Sequence, residues 1–435
     1  MEALPRIETL ATPEEYSAWL QALATLAVSA VHPQQLLPAE LPVPPEGRTV
    51  IVGAGKAAAA MAAAFEEAWY EQYPHADLSG LVVTRYGHGA PCKKTEVLEA
   101  SHPMPDNMGE IAAKRMLAAV GNLGERDLVI ALISGGGSAL MTLPAPGITL
   151  AQKQAINKAL LRSGAPIREI NTVRRHLSAI KGGRLAVAAH PARVVTYLIS
   201  DVPGDSPTLI ASGPTLPDSS TPADALEVLQ RYGIDIDDNV RTHLLGDTDA
   251  PRQGDAGFSR DTVKMLAKAK DALDAASSAA RAAGADVRVL GDNLEGEARA
   301  LGHRHAQLAL QVQREISRPL LILSGGETSV TVTGNGRGGR NVEYLLGLFS
   351  ALAGAPGIYG LAIDTDGIDG SEDNAGACFS PADWAKMQAQ RLDPRDYLAN
   401  NDAYSFFAEL ERLIVTGPTR TNVNDFRALL ILPRA

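Results

Sequence analysis

The chain has 435 residues, of which 45% are hydrophobic and 21% charged, with a formal net charge of −10 and two cysteines, Cys92 and Cys378, that lie far apart. This is the make-up of a globular protein of two or three domains, and it argues against a basic nucleic-acid-binding surface, a disulfide scaffold or a Cys/His zinc site. No apolar stretch reaches 18 residues, and the acidic start "MEALPRIETLATPEEY" lacks an apolar signal core, so the expectation is a cytoplasmic protein with no membrane partner.

Strand-like and helix-like segments alternate. "RTVIVGAG" (48–55) reads as a strand running into glycines, and "KAAAAMAAAFEEAWYEQY" (56–73) is built of strong helix formers. "GLVVTR" (80–85) is a second strand and "MGEIAAKRMLAAVGN" (108–122) a helix, followed by the buried strand "DLVIALISGGG" (127–137). Helices are expected over 150–164 and 170–186, and "ARVVTYLISDVPGD" (192–205) is a strand that ends in acids. Pro, Gly, Ser and Asp then dominate 212–225 and 246–259, the second stretch being the better linker. Beyond it, 261–284 reads as one long helix, 285–290 as a strand, 295–316 as a helix and 319–326 as a strand. The stretch 328–336 has hairpin character, 341–353 is helical, and 357–370 and 428–433 supply later strands. The order predicts α/β architecture in two domains, 1–250 and 251–435, the first with a mostly parallel sheet and the second with a smaller mixed one. Ligands bind at strand C-termini in such sheets, so the expected site is a cleft between the domains.

The glycine-rich loops carry the chemistry. In "VIVGAGKAA" (50–58), Gly53, Gly55 and Ala58 fit a dinucleotide fingerprint, but the second strand ends in Arg85, where a ribose-binding acid belongs. Lys56 adds a full charge where a helix start already favours an anion. "ISGGGSAL" (133–140) offers the N–H groups of Gly135, Gly136 and Gly137 with the hydroxyls of Ser134 and Ser138, which together suit an anion. On a helix, Arg174, Ser178 and Lys181 would share one face. Asp201 and Asp205 follow a buried strand, where an acid can orient a hydroxyl or meet Mg²⁺. In "LSGGETSVTVTGNGRGGRN" (323–341), Gly325 and Gly326 echo the earlier Ser-Gly-Gly, and Arg337 and Arg340 bring positive charge without the Gly-Lys-Ser/Thr ending of a phosphate loop. "DTDGIDGSEDNAG" (364–376) packs Asp364, Asp366, Asp369, Glu372 and Asp373 together without EF-hand spacing. Solvated turns, caps and surface charges account for many such features one at a time.

Taken in order, "GAGKAA", "SHPMPD", "ISGGGSAL", "NTVRRHLSAIKGGRLA", "SDVPGD", "SGPT", "LSGGET", "GRGGRN", "DTDGIDG" and "TGPTRTNVND" resemble the type-2 glycerate kinase, or MOFRL, family, from about residue 15 to the C-terminus. Some members of that family carry the name hydroxypyruvate reductase. The resemblance implies ATP-dependent phosphorylation of D-glycerate at the 2-hydroxyl with Mg²⁺, on a Rossmann-like N-terminal domain and a C-terminal MOFRL domain. It implies Lys56, Arg340 (favoured over Arg337) and Asp201 as catalytic groups. The loop from Ser134 to Ser138, with Arg174, is then expected at the substrate, and Gly53, Gly55, Gly325, Gly326, Glu327, Arg337 and Asn341 at the nucleotide. Metal ligands are expected among Asp201, Glu327, Asp364 and Asp366. A homodimer is compatible with these features. An NAD(P)H-dependent reductase and a sugar-acid sensor are the competing readings.

Overall fold

The computed structural model describes residues 3–37, 41–246 and 250–434. The chain folds into two compact units. One spans Leu36–Ala267, and the other joins the chain up to Gln35 with the chain from Lys268 onward.

The unit spanning Leu36–Ala267 is built on six strands, β1 (Thr49–Ala54), β2 (Ser79–Arg85), β3 (Thr95–Ala100), β4 (Leu128–Ile133), β5 (Arg193–Ile199) and β6 (Thr262–Ala267), in the order β3-β2-β1-β4-β5-β6. Every pairing is parallel. This is the doubly wound order of the Rossmann fold, and the winding reverses between β1 and β4. Both strands are buried along their whole length because helices cover both faces of the sheet, which explains their unbroken apolar sequences. The alanine-rich helix Ala58–Gln72 turns Met61, Phe65 and Trp69 inward at i, i+4 and i+8, and all three are fully buried. Each contributes about 1.5–3 kcal/mol of transfer free energy.

The other unit carries β7 (Asp286–Val289), β8 (Leu294–Glu297), β9 (Leu320–Ser329), β10 (Ile358–Asp364), β11 (Gly376–Phe379), β12 (Leu413–Ile414) and β13 (Asp425–Ile431). The order is β12-β11-β10-β13-β9-β7, with β8 also on β9. β7 and β8 run parallel to β9 and the remaining pairs are antiparallel, giving a mixed sheet. The first helix, Pro13–Ala30, belongs here: it starts at a Thr12–Glu15 capping box and packs on the helix Ala269–Ala282.

Four expectations need correction. The boundary expected at 250/251 falls instead at 267/268, because β6 completes the parallel sheet and the N-terminal helix joins the second unit. Residues 247–249 of the expected linker lie outside the described residues. The long helix expected over 261–284 is β6 followed by a helix from Ala269, since an open edge beside β5 captures "TVKMLA" despite its helix-compatible composition. The helix expected over 170–186 ends at His176 and restarts at Arg184, with Gly182 and Gly183 left-handed between them. No hairpin forms over 328–336: β9 runs straight to Ser329, and residues 330–339 continue without a strand.

Candidate active site

The winding reversal brings "GAGK" and "SGGGS" together at the C-terminal ends of β1 and β4. The Lys56 N–H donates to Gly135 O at 2.8 Å, and the Ala57 N–H donates to Ser134 Oγ at 3.0 Å. The fingerprint glycines serve this junction. A Cβ on Gly53 would sit 2.4 Å from Leu132 O, and one on Gly55 would sit 2.1 Å from Ser134 Oγ. The close approach expected for a pyrophosphate is thus taken up by the neighbouring strand and its loop.

The loop after β4 turns through Gly136 in the left-handed region (φ 79°). The N–H groups of Gly135, Gly136 and Ser138 have no partner among the described residues. A Cβ on Gly136 would lie 3.3 Å from both His102 Nε2 and Lys56 Cγ, so an imidazole and the lysine stem crowd over the same glycine. The arrangement is a concave set of N–H donors beside a lysine, suited to a carboxylate or phosphate. Asp201 follows β5, the next strand in the sheet, at the same edge, and is half-buried.

Both serine hydroxyls have partners within the fold. Ser134 is fully buried and accepts the Ala57 N–H. Ser138 is hydrogen-bonded to Ser212 Oγ at 2.7 Å, and Ser212 donates to Asn171 Oδ1 at 2.9 Å. Asn171, Ser212 and His102 sit inside "NTVRR", "SGPT" and "SHPMPD", patterns to which the sequence reading gives no such roles.

Arg174 reaches the preceding helix, Leu150–Arg162. Its Nε donates to Asn157 Oδ1 at 2.8 Å, and burial pulls its guanidinium down to about 10. Lys153 donates to Leu177 O at 3.1 Å and Lys181 to Met141 O, and both ammonium groups are buried. Burial first, then Arg174 and Arg184, lowers Lys153 to about 7; burial, with Lys153 and Arg174, drives Lys181 well below its ordinary value. Because the helix stops at His176, Ser178 and Lys181 do not share a helical face with Arg174.

In the second unit Arg340 opens the helix Arg340–Leu352. Its Nε donates to Asp425 Oδ1 at 2.8 Å, its Nη2 to Asp364 Oδ2 at 2.8 Å, and Glu327 lies 3.7 Å from Nη1. Burial opposes the charge, but Asp425, Asp364 and Glu327, with Asp369, hold the guanidinium protonated well above its ordinary range. Asp425 also accepts Asn341 Nδ2 at 2.8 Å and pairs with the buried Arg427. Asp369 caps the helix by accepting the N–H groups of Asn341 at 3.0 Å and Val342 at 2.9 Å, and burial lifts its carboxyl to about 6. Sequence reasoning gave Asp425 no role, although it closes the "TNVND" segment. Arg337 instead stacks on Tyr404 at 4.3 Å and pairs with Glu372, in an exposed setting.

Two further expectations change here. Gly325 and Gly326 are residues of β9, paired with β13 and, at Gly326, with β8, so they form no loop. Asp364 has Oδ2 on Arg340 and Oδ1 on the Asp366 N–H, while the buried Asp366 accepts the Ile368 N–H at 2.8 Å. Among the described residues no group of three or more His, Cys, Asp or Glu side chains is arranged so that it could hold a metal ion. Glu327 and Asp201 are the expected metal ligands with exposed or half-buried side chains.

A doubly wound sheet with an anion cradle at its switch point, joined to a second α/β unit carrying an acid-clamped arginine, is the pattern of a small-molecule enzyme that handles anions. Residues 19–245 match a domain family of unknown function (DUF4147), and residues 320–425 match the MOFRL family. The chain is 39% identical to the D-glycerate 2-kinase of Thermotoga maritima, over 97% of this chain and 99% of that protein. A crystal structure of glycerate kinase from Thermotoga maritima superposes with a TM-score of 0.85 at 38% identity, covering 97% of this chain and all of the other. A protein of Agrobacterium vitis named putative hydroxypyruvate reductase is 51% identical over 95% of this chain and 94% of its own length. The chain belongs to the glycerate kinase family that carries the MOFRL domain.

Proposed function

We propose that this protein transfers the γ-phosphoryl group of ATP to the 2-hydroxyl of D-glycerate, giving 2-phospho-D-glycerate and ADP. The observation that carries this reading is the set of N–H groups of Gly135, Gly136 and Ser138, without partners among the described residues, beside Lys56 at the sheet's switch point. Phosphoryl transfer needs positioned donors and charge neutralisation more than covalent chemistry, and backbone amides with a lysine supply both. The amides hold the substrate carboxylate. Lys56 and Arg340 are the cations that offset charge on the transferring group. Asp201 orients the 2-hydroxyl and takes its proton as the oxygen bonds to the γ-phosphorus and the bond to the bridging oxygen of ADP breaks. Mg²⁺, when bound, supplies further charge neutralisation; it takes few protein ligands beside phosphate oxygens, which suits Asp201 and Glu327 better than the engaged Asp364 and Asp366.

The reductase reading draws on the name of the Agrobacterium vitis relative. Against it, β2 ends in Arg85 where a ribose-binding acid belongs, and Gly53 and Gly55 are packed against Leu132 and Ser134. The two readings separate in one assay. The kinase forms ADP only when D-glycerate is added, whereas the reductase consumes NADH with hydroxypyruvate and needs no ATP.

A further inference from the structure

Ser138 is half-buried at the anion cradle, and the direction of its proton can be derived. Asn171 is buried, and its Nδ2 faces the carbonyl oxygen of Leu209 at 3.3 Å. Turning the amide over would set Oδ1 against that carbonyl, two acceptors face to face, so Nδ2 stays on Leu209 and Oδ1 points at Ser212. Oδ1 can only accept. Ser212, buried and 2.9 Å away, must therefore spend its single proton on Asn171. Its other contact, Ser138 Oγ at 2.7 Å, must then be the donor in that bond. Ser138 is left with lone pairs alone to offer to anything at the cradle.

The backbone holds this relay in place. Ala211, Ser212 and Gly213 are successive left-handed residues, with φ of 51°, 61° and 57°. A run of this kind at residues with side chains persists only where the surroundings over-determine it. Here Ser212 O accepts the Gly182 N–H at 3.1 Å, and a Cβ on Gly137 would lie 2.7 Å from Ala211 Cβ, so the run is clamped onto the turn that carries Ser138.

We infer that Ser138 is a specificity-determining residue: Asn171 and Ser212 fix it as a hydrogen-bond acceptor, so it selects ligands that bring a hydroxyl donor alongside their carboxylate, hydroxy acids rather than plain carboxylic acids. A serine free to rotate would serve an anion or a hydroxyl alike; one whose proton is committed repels the anion and rewards the hydroxyl. The inference rests on the proposed seating of the substrate carboxylate on the Gly135, Gly136 and Ser138 amides.

The test is calorimetric binding of D-glycerate and of propionate, which lacks both hydroxyls, to the full-length protein and to Ser138→Ala and Ser212→Ala, with thermal melting confirming that each variant folds. The wild type is expected to prefer D-glycerate. Ser138→Ala should weaken D-glycerate about 10-fold and leave propionate unchanged, as loss of one hydrogen bond to a buried donor predicts. Ser212→Ala releases the Ser138 proton and should lower the preference about 3-fold, with propionate binding unchanged or tighter. An unchanged preference in both variants, or equal weakening of both ligands (the result if the Ser138 lone pairs serve Lys56 instead), overturns the inference. ATP-dependent turnover of D-glycerate is read separately on the wild type. Discrimination without turnover sinks the kinase reading and leaves this one standing, and turnover with unaltered discrimination in the variants does the reverse.

Discussion

Ser-Gly-Gly occurs twice in an apolar strand context, at 134–136 and at 324–326, and it folds in two ways. After β4 the strand stops at Ile133 and the glycines form an open turn, with N–H groups that have no partner among the described residues. In β9 the same sequence stays in the sheet. Gly325 and Gly326 pair with Phe426 and Asp425 of β13, Gly326 also with Leu294 of β8, and Gly325 O takes a hydrogen bond from Arg427 at 3.1 Å. The local sequence is the same, and the strands alongside decide the outcome. One glycine cluster turns with N–H groups that have no partner among the described residues, while the other lets backbones meet. The cations differ in the same way. Arg340 is clamped by Asp425 and Asp364, whereas Lys153 and Lys181 are buried against neutral carbonyl oxygens alone.

The largest effect should come from the open turn's own cation. Lys56→Ala is expected to lower D-glycerate-dependent turnover on the order of 1,000-fold, measured by coupled ADP release. Arg340→Ala should lower turnover comparably and also destabilise the fold by ~3 kcal/mol, because buried Asp364 loses its guanidinium and Asp425 keeps only Arg427 of its two. A stable Arg340→Ala protein in urea melts would break the contrast between the acid-clamped arginine and the lysines buried against carbonyl oxygens.

Gly326→Ala and Gly136→Ala sharpen the glycine comparison. At Gly326 (φ 111°) the new Cβ would lie 2.2 Å from Leu294 N, an overlap between two backbones that cannot give, and the expected cost is ~3 kcal/mol of stability. At Gly136 (φ 79°) its nearest neighbours would be the His102 ring and the Lys56 stem, at 3.2–3.3 Å. That variant should lose ~1 kcal/mol of stability but most of its turnover. Equal stability losses would refute the assignment of one cluster to packing and the other to binding.

A smaller effect is expected at Lys153. Its folded pKa of about 7 lies below the unfolded 10.5, so the unfolded chain holds the extra proton between those values, and stability rises with pH across that window. Lys153→Met removes that residue's share of the rise, leaving the share of Lys181, and adds ~1–3 kcal/mol near neutral pH, readable from urea midpoints at pH 7 and pH 9.5. The smallest effect belongs to Arg337→Ala. The exposed pair with Glu372 predicts a melting temperature within experimental scatter.

The elements most readable in the sequence are those whose local pattern and surroundings agree. β1, β4, β5 and the alanine-rich helix between β1 and β2 are continuous apolar or strongly helical runs, and they fold as such. The long helix expected at 261–284 fails at its first turn because an edge of the parallel sheet, invisible to local propensity, pairs with "TVKMLA". β3 escapes notice because two of the six residues of "TEVLEA" are charged and it is buried only at its ends. At the site, Lys56 and the 134–138 turn stand out through their glycines. Asp425, Asn171 and Ser212 do not, since their roles come from partners 41 to 85 residues away that no spacing rule connects. The acids of "DTDGIDG" serve Arg340 and turn N–H groups, roles their spacing does not announce, because a buried strand end needs its N–H groups and its arginine satisfied.

The most direct test is ADP release by the purified full-length protein with Mg²⁺ and ATP, measured with and without D-glycerate. ADP that forms only when D-glycerate is present, with 2-phospho-D-glycerate as the co-product and loss of both in Lys56→Ala, is the predicted result. No D-glycerate-dependent ADP, or undiminished turnover in Lys56→Ala, would contradict the placing of the phosphoryl-transfer site at the β1–β4 switch point.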